Sequence, residues 1–347
     1  MKKLSICIPT YNRITYLKKN LDIIIKQIIE NKKHEIEICI SDNASIDNTE
    51  FIVRELIELN PDIKIKYSKN DLNLGADKNY LKAMSMADGD YSILWGDDDF
   101  FKDNAISYIF NLIEQKTDVS IFFSNRTDID GNGNFICEQI FLRDDIESLV
   151  VDFSRNDSAR LYFYLSRDIA CLFSYISSVI YKTSIIKERV FDNDFIGTQY
   201  SFLYFWWNHL LEGNKLLYSK YSYVYCTTRV AQSFGSGIDR AFIDYYGYNI
   251  IADKLLYNNP LITDFREVVN KSHKYHELSD FYISDKKKFE QKLQPLLIIF
   301  GYSRNEIAEI KRNYEFSYLI KLLIKKHFRI FVKLFKIITK YMNLNQQ

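Results

Sequence analysis

Glycine and proline are scarce in this chain, 11 and 4 of 347 residues. No low-complexity linker breaks it up, and no internal repeat is visible. Cysteine is nearly as rare: five residues, an odd number, with no CxxC spacing. That argues against a disulfide framework or a zinc site and fits a reducing compartment. Cys7 and Cys39 fall in apolar, strand-like runs, as small core residues do. No uninterrupted apolar run reaches the roughly 20 residues that span a bilayer. Residues 1–9 carry two lysines but too short an apolar stretch for a signal peptide. Charge of one sign is missing too, since 46 basic and 45 acidic residues leave a net +1. That balance argues against a nucleic-acid partner. Neither a P-loop nor a GxGxxG motif is present, which excludes a standard NTPase or dinucleotide site.

What is present is material for a core. Hydrophobic residues make up 47% of the chain, enough for one large domain or two modest ones at this length. Tyrosine (26) and phenylalanine (25) are abundant throughout, which reads as a general compositional bias rather than a stacking code. Apolar runs at 4–8, 36–40, 63–67 and 91–95 predict strands. Segments 15–30, 48–59 and 76–87 predict helices, with Leu17, Leu21, Ile24, Ile25 and Ile28 at helical spacing. Strands alternating with helices of this length predict an α/β fold with a mainly parallel sheet. Further on, 103–115 reads as a helix and 119–124 as a strand, and 130–134 as the turn of a hairpin. Residues 136–170 are less regular. Strands are expected at 171–181 and 216–225, with an aromatic-rich helix at 198–211 that stops at Gly213. After about 238 the pattern is helical. The expected division is an α/β domain over 1–230, a helical region over 231–312 and a basic amphipathic helix over 313–347.

The most informative stretch is Tyr91-Ser92-Ile93-Leu94-Trp95-Gly96-Asp97-Asp98-Asp99. A short apolar strand ends in three adjacent carboxylates, which repel one another unless something positive binds there. Mg²⁺ takes oxygen ligands, typically one or two carboxylates plus substrate phosphates. Ligands of open α/β sheets sit at the carboxyl ends of the strands. The cluster therefore points to a metal joining protein carboxylates to a nucleotide diphosphate; a solvated acidic turn is the plain alternative. Three more strand ends are polar: Pro9-Thr10-Tyr11-Asn12-Arg13, Ser41-Asp42-Asn43-Ala44-Ser45-Ile46-Asp47-Asn48-Thr49, and Asn70-Asp71-Leu72-Asn73-Leu74-Gly75-Ala76-Asp77-Lys78-Asn79. In this architecture such ends converge on one crevice.

In this order and spacing, the four motifs resemble the family 2 glycosyltransferases of the GT-A fold, over about residues 1–225. Within that group the chain looks most like abequosyltransferase-like bacterial enzymes that build surface polysaccharides. The resemblance implies a Rossmann-like, nucleotide-diphospho-sugar transferase sheet flanked by helices. It implies that Pro9, Thr10, Asn12 and Arg13 line the nucleotide pocket, and that Asp42 contacts the base with Asn43 and Ser45 beside it. Gly75 and Lys78 match a glycine and a basic residue near the nucleotide. Asp97, Asp98 and Asp99 match the DxD-type motif, with Asp99 on a Mn²⁺ or Mg²⁺ ion, joined by Asp97, and Asp97 or Asp98 toward the ribose. Each position also has a local explanation. Asp42 and Asp47 suit the capping of the helix near Asn48. Arg13 suits a surface ion pair, Lys78 a solvated helix face, and Gly75 a turn with positive φ.

Many inverting members place a Glu-Asp pair about eleven residues before a glycine at the start of a helix. Before Gly213 this chain has Gln199-Tyr200-Ser201-Phe202 instead, with no acid. The nearest upstream carboxylates, Asp194 and Asp192, are the candidates for the base that takes the acceptor's proton; ordinary loop acids are the alternative. His209 reads as a core or surface histidine. Arg229, in a Ser/Gly-containing segment, is a candidate for a loop that reaches the diphosphate, or belongs to a plain connector. Lys321, Lys325, Arg329, Lys333, Lys336 and Lys340 recur every three or four residues among apolar neighbours. A helix with such faces suits an anionic membrane surface, each basic residue contributing about 1 kcal/mol; docking on its own domain or a dimer contact is the alternative. The expectation is a metal-dependent transferase moving a sugar from a nucleotide-sugar donor to a saccharide, lipid-linked acceptor. It would be cytoplasmic and peripheral on the inner face of the bacterial membrane. A sugar nucleotidyltransferase and a non-catalytic, nucleotide-binding scaffold are the competing readings.

Overall fold

In the computed structural model, residues 2–228 and 235–312 are described. They form two compact units, one holding residues up to 235 together with 243–272, the other 236–242 and the chain from 273. The first unit begins β1 (Lys3–Thr10), α1 (Ile14–Glu30), β2 (Glu35–Asp42), α2 (Thr49–Leu59), β3 (Lys64–Lys69), α3 (Ala76–Ser85) and β4 (Tyr91–Leu94). These are the expected βαβ repeats, within a few residues of the predicted bounds. β3, β2, β1 and β4 lie side by side and parallel.

Alternation along β1 and β2 sorts the two faces. Ile6, Ile8, Ile38 and Ile40 join Leu17, Leu21 and Ile24 of α1 and Val53 of α2 in one buried cluster. Cys7 and Cys39 lie opposite each other, fully buried. The small side chains Cys39 and Ser41 leave room for α3: the Cys39 thiol reaches the Met86 carbonyl, and Ser41 donates to Asn79 at 2.7 Å. All five cysteines are free.

The chain continues through β5 (Asp99–Phe101), α4 (Ala105–Gln115), β6 (Ile121–Ser124), β7 (Arg126–Ile129), β8 (Phe135–Gln139), β9 (Ser148–Asp152), α5 (Asn156–Leu165), β10 (Val179–Lys182), α6 (Ser184–Lys187), α7 (Leu203–Leu211), β11 (Lys215–Ser219), β12 (Val224–Thr227), α8 (Ile238–Leu255) and α9 (Ile262–Asn270). The main sheet has eight strands in the order β3-β2-β1-β4-β10-β6-β11-β9, mixed but mainly parallel on the β4 side. A second sheet, β5-β12-β7-β8, contains the expected hairpin around 130–134.

Three expectations are corrected. Residues 171–181 are mostly short 3₁₀ turns at Ile169–Leu172 and Ile176–Ser178, and only Val179–Lys182 is a strand. Residues 216–225 are two strands, β11 and β12, in different sheets. The aromatic-rich helix starts at Leu203 rather than 198, because the backbone N–H groups before it bond to a distant carboxylate. The second unit contains α10 (Tyr275–Ser284), α11 (Lys286–Lys288), a π-helical turn at Phe289–Leu293 and α12 (Gln294–Ile299), and residues 304–312 are also helical. Its buried residues include Leu278, Phe289, Leu293, Leu297 and Ile310. Among the described residues no helix is long and apolar enough to cross a membrane. Arg229 and the basic stripe over 313–347 lie outside the described residues.

Candidate active site

The carboxyl ends of β1, β2 and β4 lie side by side and bring the predicted polar residues together. β1 ends in buried Pro9 and Thr10, and the Thr10 hydroxyl donates to Asp97 Oδ2 at 2.8 Å. Arg13, at the head of α1, forks between two acids: its Nε is 3.4 Å from Asp97 Oδ1, and an Nη binds Asp98. Burial opposes the Arg13 charge, yet Asp97 and Asp98 hold its pKa above the ordinary arginine value. Burial pushes the Asp97 carboxyl up against the pull of Arg13, and the Asp98 charge pushes it further. Asp99 is likewise raised by burial and by Asp98, with the Ser177 hydroxyl opposing.

Residues that show no signal in the sequence hold this acid turn. Asn20 of α1, fully buried, donates to the Gly96 carbonyl at 2.9 Å and accepts from the Trp95 indole at 3.1 Å. The Ser177 hydroxyl accepts from Gly96 N–H at 2.9 Å and donates to Asp99 at 2.5 Å. Thr227 donates to the Asp98 carbonyl at 2.7 Å. Gly96 is required here, because a Cβ would sit 2.5 Å from Asp99 Oδ2 and 3.4 Å from Asp98 Oδ1.

That bare Cα, flanked by two carboxylates, is the fit for a cation. Among the described residues no group of three or more His, Cys, Asp or Glu side chains forms a closed ligand set. One or two carboxylates completed by phosphates is the ordinary Mg²⁺ arrangement. Asp98 and Asp99 match it. Asp97 is less suited to the metal role expected of it, because Thr10 and Arg13 already occupy its two oxygens.

The neighbouring strand ends are more structural than expected. Asp42 is fully buried, with Oδ1 accepting from Ser45 N–H at 2.8 Å and Oδ2 from the Tyr67 hydroxyl at 2.7 Å. Burial, then Asp42, raises the Tyr67 pKa. Asn43 staples the following loop, accepting from Leu74 N–H at 2.9 Å and donating to Asn73 at 2.8 Å. Asn12 adopts φ +53° and links two loops: its N–H donates to Ser45 Oγ at 2.9 Å and its Oδ1 accepts from Ile46 N–H at 2.8 Å. Asp47 accepts from Ile14 N–H at 3.1 Å as well as from Thr49, so it serves the starts of both α1 and α2. Gly75, φ +82°, precedes α3, and Lys78 is exposed on its first turn.

Asp77, next to Lys78, takes three backbone N–H groups from the far loop: Gly197 at 2.8 Å, Gln199 at 3.0 Å and Ser201 at 3.1 Å. The stretch that lacks an acid of its own is thus held to the head of α3 by an acid from elsewhere. Asp192 and Asp194 lie in a short turn at the surface. Asp192 accepts from Asp194 N–H at 2.9 Å, and Asp194 pairs with Lys254. His209 is pushed down to about 4 by burial. At the opposite end of β4, a cavity of about 360 Å³ lined by Lys2, Lys182, Lys187 and Asp90 is remote from the acid turn.

Comparison with known proteins bears on these strand ends. The family model described as "Glycosyl transferase family 2" matches residues 5–189. The chain is similar to an abequosyltransferase of Salmonella typhimurium, 36% identical over 57% of this chain and 58% of that protein. It therefore spans less than two thirds of that relative's length. It is also similar to a GalNAc(5)-diNAcBac-PP-undecaprenol beta-1,3-glucosyltransferase of Campylobacter jejuni, 24% identical over 84% of this chain and 85% of that one. Among solved structures, S. aureus TarS 1-349 in complex with UDP-GlcNAc superposes with a TM-score of 0.59 at 19% identity, covering 92% of each chain. A Pyrobaculum calidifontis mannosyltransferase with GDP-Man and Mn²⁺ gives 0.50 at 14% identity, covering 93% of this chain and 87% of that one. At these identities the structural matches show the shared fold.

Proposed function

The chain belongs to glycosyl transferase family 2, and from that premise we propose that it transfers a sugar from a nucleotide-sugar donor to a saccharide acceptor in bacterial surface-polysaccharide synthesis. The observation behind this reading is the acid turn after β4, held by Thr10, Arg13, Asn20 and Ser177 where the strand ends converge. Thr10, Asn12, Arg13, Gly75 and Lys78 would surround the nucleotide. Asp42 and Asn43 would shape its base pocket through Tyr67 and the 70–75 loop rather than by direct contact.

Asp98 and Asp99 would hold Mn²⁺ or Mg²⁺, which when bound neutralises charge building on the departing diphosphate. Asp97 orients Arg13, whose guanidinium fork suits a phosphate. The Mn²⁺-bound mannosyltransferase and the donor-bound TarS support this reading as relatives of the same fold. The undecaprenol-linked acceptor in the Campylobacter relative's name supports a lipid-linked acceptor. The basic spacing over 313–347 would then hold the enzyme against anionic lipid at the cytoplasmic face, and Arg229 would reach the diphosphate. A segment-deletion variant ending at 312 should lose binding to vesicles containing anionic lipid; equal binding would remove the membrane from this reading.

Thermal unfolding against UDP, GDP, CDP and dTDP, with and without Mn²⁺, tests the core of the proposal. A ligand at a hundredfold its Kd stabilises by about 2.7 kcal/mol. A metal-dependent rise with one nucleotide is expected and identifies the donor base. No rise with any of them counts against the nucleotide pocket and overturns the proposal.

A further inference from the structure

A second polar cluster lies beyond the acid turn. Arg126, at the start of β7, binds Asp128 through Nε at 2.9 Å and stacks over the Tyr175 ring at 4.6 Å. Its charge and that of Asp99 each shift the other. Arg126 also acts on Asp168, which begins the 3₁₀ turn Ile169–Leu172 after α5. Asp168 Oδ1 accepts from Ala170 N–H at 2.7 Å, while Oδ2 accepts no hydrogen bond from the described residues. The charge of Asp244 on α8 also acts on Asp168; Asp244 is buried and takes the Tyr200 hydroxyl at 2.6 Å. Tyr200 packs against bare Gly247, where a Cβ would be 2.6 Å from its ring. Tyr200 lies in the loop that Asp77 pins beside Lys78. Contacts tie these groups together. Tyr175, under Arg126, is two residues from the Ser177 that holds Asp99. Arg167, next to Asp168, donates its N–H to the Phe141 carbonyl at 3.0 Å, and Phe141 N–H donates to Asn125, next to Arg126, at 3.0 Å. The Tyr200 ring packs on Tyr248, whose hydroxyl donates to the carbonyl of Ile169, next to Asp168, at 3.4 Å.

Resting on the transferase reading above, we infer that Asp168 is the general base, its unoccupied carboxylate oxygen taking the proton of the attacking acceptor hydroxyl. The acceptor oxygen bonds to the anomeric carbon. The bond from that carbon to the diphosphate breaks, and its electron pair leaves with the nucleoside diphosphate. The proton passes to Asp168 and then to water. This displaces Asp192 and Asp194 from the role, since both are engaged in a surface turn. The electrostatics fit: burial lifts the Asp168 carboxyl, Asp244 adds to the lift, and Ala170 N–H, Arg126 and Arg167 oppose it. Arg167 is itself paired with Asp144, and Lys271 is held by the Ser166 carbonyl. A base lifted toward the working pH abstracts protons more effectively than an ordinary carboxylate.

Asp168→Asn separates this role from a structural one, because an amide oxygen still accepts from Ala170 N–H but does not take a proton. In the full chain, release of UDP from UDP-GlcNAc, of GDP from GDP-mannose, of CDP from CDP-glucose or of dTDP from dTDP-glucose is followed with water as acceptor, for whichever nucleotide stabilises the protein. The expected result is an unchanged nucleotide-dependent thermal shift, a rate reduced about 10²–10⁴-fold, and loss of the acidic limb of the pH–rate profile. Asp168→Glu should keep a measurable rate with that limb displaced, and it decides the matter if the Asn variant melts early. A thermal shift and a pH profile unchanged in Asp168→Asn overturn the assignment alone. No nucleotide-dependent shift in the wild type overturns the transferase reading beneath it.

Discussion

Arg13 is the guanidinium that lets Asp97 and Asp98 lie side by side at a buried strand end. Arg13→Ala leaves Asp97 buried without a counter-charge. Breaking a buried pair costs about 3–5 kcal/mol, and Arg13 is partly exposed, so roughly 2–3 kcal/mol is expected. Denaturant unfolding measures this; an unchanged midpoint would show that solvent already screens the pair. Ser177→Ala strands the Gly96 N–H and an Asp99 oxygen together. The expected loss is about 1–3 kcal/mol, accompanied by a weaker Mn²⁺-dependent nucleotide shift. A full-sized shift in that variant would show that Asp99 holds its place without the serine. The acids and Arg13 are legible in the sequence because they are adjacent or follow a strand directly. Asn20 and Ser177 are not, since a lone polar residue says nothing of its partner until the chain brings residue 96 to it.

α3 and the loop before α7 form the element that differs most from its periodicity. Residues 198–211 have helical spacing, yet the helix begins at Leu203. Asp77 draws the N–H groups of Gly197, Gln199 and Ser201, and Gln199 takes φ +64°, uncommon for a residue with a Cβ. Three N–H bonds to one buried carboxylate outweigh the helical preference of a short segment. In Asp77→Asn a single amide oxygen remains as acceptor, so at least one of these donors is orphaned. About 1–3 kcal/mol should be lost, and amide exchange at Gly197, Gln199 and Ser201 should quicken while the α1 amides stay protected. Equal protection of the loop in both proteins would refute the clamp. The same logic explains the 171–181 error: an apolar run there is buried as tight turns, which hydropathy alone does not distinguish from a strand.

At the scale of the whole molecule, the end of the sheet opposite the acid turn holds a carboxylate that contributes to acid stability. Glu37 is fully buried, with Lys64 at 3.0 Å, Lys66 at 3.1 Å and Lys3 at 3.5 Å. Burial raises its pKa, but Ser5, the Asp88 N–H, Lys64 and Lys66 outweigh that and bring it from 4.5 to about 2. A depressed carboxyl pKa stabilises the fold above the unfolded value. The contribution is therefore complete above about pH 4.5 and disappears as the pH falls toward 2, at most about 3 kcal/mol. Urea unfolding from pH 6 to pH 2.5 should show this slope, and Glu37→Gln should flatten it; an identical slope in both proteins would assign acid lability elsewhere. The sequence by itself determined the alternation of strands and helices, the aliphatic and small faces of β1 and β2, and the four polar strand ends, because these depend on spacing within a few residues. The tertiary structure alone decided that Asp42 is buried under Tyr67, that the acid turn is held by Asn20 and Ser177, and that Asp77 holds the loop before α7. Those contacts join residues tens of positions or more apart, and a hydrogen bond or charge pair at that separation exists only once the sheet order has set the path of the chain.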